Sequence, residues 1–93
     1  MPQSDRQILL TKLEQAKTQI EIGAKYQHTK TKGEYLVLNL VIQEDTEEIR
    51  VIYQEINHQP AIIWSRSFDG PDGWIIPTEI NGELVPRFTK IIT

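Results

Sequence analysis

The spacing of apolar residues along the chain changes at Gly23. Before it, apolar residues recur every three or four positions, at Leu9, Leu13, Ala16 and Ile20, which is the period of an amphipathic helix. After it, apolar and polar residues mostly alternate, and Pro, Gly, Asn and Asp interrupt the chain every eight to twelve residues. The chain is therefore predicted to consist of one helix followed by a small β-domain.

The first segment carries the signals of a helix over residues 4–22. Ser4 followed three positions later by Gln7 has the spacing of a capping box, and Asp5 places a negative charge where the helix dipole favours it. Gly23 is of the residue type that commonly follows a helix. We expect the apolar stripe to pack this helix on the β-domain, with a contact between two copies of the chain as the alternative.

The remainder of the chain reads as a series of short strands separated by turns. Asn81-Gly82 is a strong hairpin signal, and Pro86 favours the edge of a sheet. The segment 69–73 is rich in turn-forming residues and is expected to be an exposed loop. The predicted strands are 25–29, 34–43, 48–56, 61–67 and 83–92, with shorter candidates at 74–77 and 79–80.

Length and composition limit the classes of protein to which the chain can belong. We expect its 93 residues to form a single domain, 1–93, with one modest core. The absence of cysteine excludes disulfides and thiolate metal sites and fits a reducing compartment. No apolar run approaches the roughly 20 residues that span a bilayer, so we expect a cytoplasmic protein without a membrane segment. The net charge of -3 disfavours sequence-independent binding to nucleic acid, which depends on Lys and Arg.

Several short motifs, in a fixed order, resemble one known family over residues 25–91. They are Tyr26-Gln27-His28 with Lys30, Tyr35-Leu36-Val37-Leu38, Thr46-Glu47-Glu48, Val51-Ile52-Tyr53, Trp64-Ser65-Arg66, and Gly82 followed by Val85-Pro86-Arg87-Phe88. In this order they resemble the bacterial family catalogued as domain of unknown function 1653. The resemblance implies an SH3-like antiparallel β-barrel and no known catalytic role. With the helix, the expected fold is α+β and mainly β, the helix packed on a barrel over residues 25–92.

Candidate ligand-binding residues are basic or aromatic side chains on the predicted strands and turns. An Arg beside an aromatic ring can stack on it and present its planar group to a carboxylate or phosphate. Internal partners such as Glu47 or Glu48 are the simpler prediction for these arginines. Trp64 is predicted to be core, and Trp74, after the loop, to lie at the surface as a partner anchor. The candidates are Tyr26, His28, Lys30, Arg66, Trp74 and Arg87.

The sequence favours a non-catalytic binding module with a protein partner. His28 and His58 are too far apart in sequence for a metal motif, and no base is positioned to activate Ser65 or Ser67. We therefore expect no catalytic residue, metal or cofactor, and either a monomer or a weak homodimer. The alternative is recognition of a nucleotide or single-stranded nucleic acid, and an enzyme ranks third. Exposed aromatic rings among basic residues would favour the nucleotide, and an apolar patch around Trp74 would favour a protein.

Overall fold

The N-terminal segment forms a helix, α1, over Arg6–Lys17. In the computed structural model, which describes residues 5–92, Asp5 is the N-cap residue, and its Oδ1 accepts a hydrogen bond from the Gln7 N–H at 2.7 Å. A carboxylate there satisfies a free backbone donor and interacts favourably with the helix dipole. Ser4, which the capping-box spacing selected, lies outside the described residues.

α1 ends earlier than the predicted residue 22. Thr18 is its C-cap, and the Thr18 hydroxyl donates to the carbonyl oxygen of Gln15 at 2.6 Å. Such local side-chain bonds compete with continuation of the helix. Gly23, with φ of 89°, instead marks the entry into the sheet, where its N–H donates to the Val37 carbonyl oxygen at 2.8 Å.

The β-domain consists of a five-stranded antiparallel sheet and a separate two-stranded hairpin. The strand order of the sheet is β4-β3-β2-β1-β7, and β5 pairs with β6. The strands are β1 Lys25–His28, β2 Glu34–Ile42, β3 Ile49–Glu55, β4 Ile63–Ser67, β5 Thr78–Ile80, β6 Glu83–Val85 and β7 Phe88–Lys90. The fold is therefore mainly β with one N-terminal helix, as predicted. Because β4 and β7 are free edges of an open sheet, the SH3-like barrel is not confirmed.

The C-terminal third of the chain departs most from the prediction. Residues 74–77 form turns rather than a strand. The single strand predicted over 83–92 is divided into β6 and β7 at Pro86, which has no N–H to donate to a ladder. The Asn81-Gly82 hairpin is confirmed: both residues have positive φ, at 53° and 84°, as a type I′ turn requires. β6 is thereby used in the hairpin and does not close the main sheet.

The core lies between α1 and one face of the sheet. From α1 and the segment after it, Ala16 and Ile20 are fully buried, whereas Leu13 is partly buried against the same cluster and Leu9 is half-exposed. The stripe therefore packs mainly through its C-terminal half. The sheet residues buried in this core include Val37, Leu40, Ile49 and Val51. Within residues 5–92, no helix has the length and apolar content needed to span a bilayer.

Truncation of Ile20, which is 1% exposed, should be costly. We expect Ile20→Ala to reduce the free energy of unfolding by about 2–5 kcal/mol and Leu13→Ala by clearly less, because only a well-buried side chain leaves a full cavity. Ile8→Ala, at an exposed position of α1, is the control and should change stability by less than about 0.5 kcal/mol. Urea unfolding measures the stability of all three variants. An equal loss of stability for Leu13→Ala and Ile20→Ala would contradict the tighter packing of the C-terminal half of the stripe.

Candidate functional site

Four aromatic rings form a compact layer, the aromatic floor, at one end of the core. The ring of Trp74 stacks on that of Phe88, with centroids 3.6 Å apart and planes 4° from parallel. Tyr26 and Tyr53 meet Trp74 edge-on at centroid distances of 5.5 and 5.1 Å. Such pairs add about 0.5–1.5 kcal/mol each beyond the burial of their surface. The aromatic floor therefore joins β1, β3 and β7 to the loop that carries Trp74.

The two tryptophans exchange the positions that the sequence suggested. Trp74, predicted to lie at the surface, is 4% exposed, whereas Trp64, predicted to be core, is 44% exposed. The reason is the segment 69–73, which turns back sharply instead of projecting. Directly after it, the Trp74 N–H donates to the Ser67 carbonyl oxygen at 2.8 Å and directs the indole into the core. Trp64 stands on the edge strand β4, where a neighbour is missing on one side.

The guanidinium of Arg66 lies against the aromatic floor. Its Cζ is 5.4 Å from the centroid of the Phe88 ring, within the range of a cation–π interaction. Nη1 donates to the carbonyl oxygen of Asp72 at 2.6 Å, and Nε donates to the Tyr53 hydroxyl at 3.4 Å. These three contacts fix the guanidinium within the protein itself.

Arg87, between β6 and β7, reaches the same loop from the other side. Its Nε donates to the carbonyl oxygen of Ile76 at 3.1 Å, and its Nη2 lies 3.4 Å from the Asp72 Oδ1. Internal partners for Arg66 and Arg87, as predicted, are confirmed, and they include the backbone carbonyl oxygens of Asp72 and Ile76. The acidic partner, however, is Asp72. We call Arg66 and Arg87 the arginine pair.

Glu48, in the acidic turn before β3, has other partners than the arginine pair. That carboxylate pairs with Arg50, with Oε1 2.8 Å from Nη1, because both side chains lie at the start of β3. Its Oε2 accepts from the Ser67 hydroxyl at 3.1 Å.

His28 borders the arginine pair at the end of β1. Its ring meets Phe88 edge-on at 5.0 Å, and its Nδ1 accepts a hydrogen bond from the Thr31 N–H at 3.3 Å. The imidazole thus satisfies the backbone N–H of Thr31. Since Nδ1 is the acceptor, the ring proton lies on Nε2.

Positive charge accumulates around His28. Burial, followed by the charges of Arg66, Arg87 and Lys30, lowers the pKa of the imidazole below its ordinary value. Lys30 itself is exposed in the turn after β1. The imidazole is therefore neutral at pH 7 and adds an N–H donor, not a charge, to a cationic corner of the molecule.

Glu55 forms a hydrogen bond with Trp64, and its charge acts on Tyr35. Glu55 Oε1 accepts from the Ile62 N–H at 3.0 Å, and its Oε2 accepts from the Trp64 Nε1–H at 3.2 Å. The Ile62 N–H is the main cause that lowers the pKa of Glu55. Burial, followed by Tyr53 and Glu55, raises the pKa of the Tyr35 hydroxyl. The indole of Trp64 is thus tethered by its one polar atom while remaining half-exposed.

Of the six predicted ligand-binding residues, Arg66 and His28 both contact the Phe88 ring, Arg87 directly precedes Phe88 in the chain, and the charge of Lys30 acts on His28. Tyr26 and Trp74 are buried, at 7% and 4% exposure. The hydroxyl of Tyr26 accepts a hydrogen bond from the Glu21 N–H at 3.0 Å. Two residues were missed, Trp64 and Asp72. A signal existed for Trp64, since it stands two positions before Arg66 on a strand and must share its side of the sheet.

The described part of the chain, residues 5–92, contains no group of three or more His, Asp or Glu side chains arranged to hold a metal ion. The hydroxyl groups of the two candidate serines are engaged in structural contacts. Ser65 Oγ accepts from Arg50 Nε at 3.0 Å, and Ser67 Oγ accepts from the Gly70 N–H at 2.9 Å.

Comparison with known proteins identifies a family. A family model matches residues 24–90, nearly the range over which the motifs resemble a known family. Searches of curated proteins and of solved structures each found no match to the chain. The chain therefore belongs to the family described as protein of unknown function (DUF1653).

Proposed function

We propose that this domain is a non-catalytic binding module that holds an anionic group of its partner, a carboxylate or a phosphate, at the arginine pair. One observation carries the proposal. Arg66 and Arg87 are both fixed beside Phe88 by bonds to backbone carbonyl oxygens, and the carboxylate that pairs with Arg87 belongs to Asp72, whose side chain is 88% exposed. The Asp72 half of this pair is open to solvent, which screens its attraction, whereas the Arg87 side chain is 14% exposed.

The arginine pair retains unused donors. The contacts with described residues engage two N–H groups of each guanidinium. Because a guanidinium has five N–H groups, five minus two leaves three on each. The planar fork of Arg matches two oxygens of a carboxylate or phosphate, and the Nε2–H of His28 is a further donor nearby.

Pre-organisation supports binding in a protein this small. Ordering a long side chain on binding costs about 0.5–1.5 kcal/mol. The Arg66 contacts with Asp72, Tyr53 and Phe88 meet that cost in the free protein. An anion therefore meets donors that are already in place.

The non-catalytic part of the proposal rests on the engagement of the nucleophile candidates. His28 Nδ1 accepts the Thr31 N–H, so this nitrogen is not available as a base. Ser65 and Ser67 are bound to Arg50 and to Gly70. These contacts of His28, Ser65 and Ser67 support a non-catalytic role.

Substitution of Arg66 tests the proposal. Arg66→Gln should weaken binding of inorganic phosphate or citrate by about 10-fold or more, because a hydrogen bond to a charged group contributes about 1.5–3 kcal/mol. Arg6→Gln, which removes the same charge from the exposed start of α1, is the matched control and should leave affinity unchanged. Calorimetric titration measures both, after thermal unfolding has shown that each variant is folded.

Asp72→Asn provides a test of opposite sign. The substitution keeps the backbone carbonyl that accepts from Arg66 and removes the carboxylate that competes for Arg87. Phosphate should therefore bind several-fold more tightly. The proposal fails if Arg66→Gln and Arg6→Gln weaken binding equally, if Asp72→Asn also weakens it, or if the unmodified protein binds no anion.

A further inference from the structure

We infer that the anion at the arginine pair belongs to a nucleotide, and that the nucleotide's base stacks on the exposed ring of Trp64. The inference rests on the proposed function, since it places the phosphate on the same guanidinium groups. The sequence ranked a protein partner first, with Trp74 as its candidate surface anchor. Burial of Trp74 at 4% exposure removes that anchor, while Trp64 supplies an exposed ring beside basic residues.

Trp64 and Arg66 project from the same side of the sheet. In the pairing of β3 with β4, Trp64 lies opposite Tyr53 and Arg66 lies opposite Val51, and directly opposed residues share a face. Both β3 residues face the core. Two residues along a strand are separated by about 6.6 Å, so the ring and the guanidinium are within reach of one small ligand.

The Trp64 ring is held ready for stacking. Its Nε1–H donates to Glu55 Oε2 at 3.2 Å, which fixes the indole by its one polar atom. The remaining surface of the side chain, 44% of the residue being exposed, is aromatic. Base–aromatic stacking is a major term in nucleotide recognition, and it tolerates different bases because every base has a π-face.

Positive and negative groups lie at opposite ends of this surface, which suits the phosphate and the base of a nucleotide. The cations Arg66, Arg87 and Lys30 lie at the His28 end, and the carboxylate of Glu55 lies beside Trp64. Each carboxylate oxygen can accept a further hydrogen bond. A phosphate is therefore favoured at the first end, and a base carrying amino or imino donors at the second.

Addition of a peptide strand at β4 fits this structure less well. Phe68 N–H donates to Ile49 and Glu55 N–H donates to Ile62, so the intervening residues 63, 65 and 67 direct their backbone groups away from β3. Two of these outward carbonyl oxygens are already occupied: that of Ser65 by Arg50 Nη2 at 3.1 Å and that of Ser67 by the Trp74 N–H at 2.8 Å. The net charge of -3 further favours a small nucleotide over a nucleic acid.

Calorimetric titration tests the inference, with AMP, GMP, ribose 5-phosphate and inorganic phosphate as probes, because it also measures binding to variants that lack Trp64; tryptophan fluorescence of the unmodified protein is a second measurement. Trp64 is exposed and Trp74 is buried, so a stacked base should quench the emission of Trp64. We expect AMP or GMP to bind at least about 5-fold more tightly than ribose 5-phosphate, in line with the contribution of one stacked base. Trp64→Ala should abolish this preference and Trp64→Phe should retain most of it.

Ile63→Ala is the control, because Ile63 is exposed on β4 but lies opposite Gln54, on the other side of the sheet from Trp64; it should leave the preference intact. Equal binding of ribose 5-phosphate and nucleotides, still dependent on Arg66, would overturn the inference and leave the proposed function standing. Absence of any Arg66-dependent binding would overturn both. A single-stranded oligonucleotide that binds far more tightly than AMP, in a salt-sensitive manner, would overturn the assignment to a small ligand.

Discussion

Trp74→Ala is expected to reduce the free energy of unfolding by about 3–5 kcal/mol, the usual cost of truncating a large buried aromatic side chain. The residue is 4% exposed, stacks on Phe88 at 3.6 Å and meets Tyr26 and Tyr53 edge-on. The substitution removes the central ring of the aromatic floor. A domain of this size has a total stability of about 5–15 kcal/mol, so the variant should be close to unfolding at physiological temperature.

The other tryptophan is the matched control for this prediction. Trp64→Ala makes the same chemical change at a position that is 44% exposed, and it should cost less than about 1 kcal/mol, as truncation at exposed positions usually does. Urea unfolding followed by far-UV circular dichroism measures both variants, since that signal does not depend on the tryptophan removed. A loss for Trp64→Ala as large as that for Trp74→Ala would contradict the assignment of one ring to the core and the other to the surface.

Gly73→Ala is the second change with a large expected effect, on stability and on binding together. A Cβ at this position would lie 2.8 Å from the carbonyl oxygens of Gly70 and Phe68. These are backbone atoms, so no side chain can rotate away, and overpacking of this kind costs about 1–3 kcal/mol. The neighbouring Asp72 contacts Arg66 and Arg87. Movement of the loop should therefore weaken phosphate binding as well.

Gly33→Ala is the control for Gly73→Ala. Its Cβ would meet the Tyr35 ring and hydroxyl, the nearest atom at 2.9 Å, and this partly exposed side chain can shift. We expect a smaller loss of stability. Urea unfolding combined with phosphate titration of both variants checks the prediction. Equal stability of Gly73→Ala and the unmodified protein would contradict the close backbone approach at residue 73.

The sequence predicted the secondary structure of the first two thirds of the chain closely. β2 and β3 were predicted at 34–43 and 48–56 and lie at Glu34–Ile42 and Ile49–Glu55. Alternation and turn residues are local signals, and here the local signals agree with the fold. The helix was predicted too long because the hydroxyl of Thr18, which bonds to Gln15, is indistinguishable in a pattern from any other polar position.

The candidate site was only partly predictable, because its assembly depends on long-range contacts. Adjacent aromatic residues singled out Arg66 and Arg87, since rings and guanidinium groups commonly pack together, and the guanidinium of Arg66 lies over the Phe88 ring. Their partner Asp72 could not be chosen among the carboxylates, because the pairing depends on how residues 69–73 fold back on β4. The exchange of Trp64 and Trp74 has the same origin. Alternation predicts which residues share a side of a strand, but not which strand lies at the edge of the sheet.

The central claim, that the arginine pair holds an anion, is tested most directly by the Nε–Hε NMR signals of the four arginines during a phosphate titration. Arg6 on α1 and Arg50, paired with Glu48 at 2.8 Å, are internal references in the same sample. If the arginine pair binds the anion, the Arg66 and Arg87 signals should show saturable shifts and the other two little change. Small, non-saturating shifts of equal size at all four arginines would contradict it.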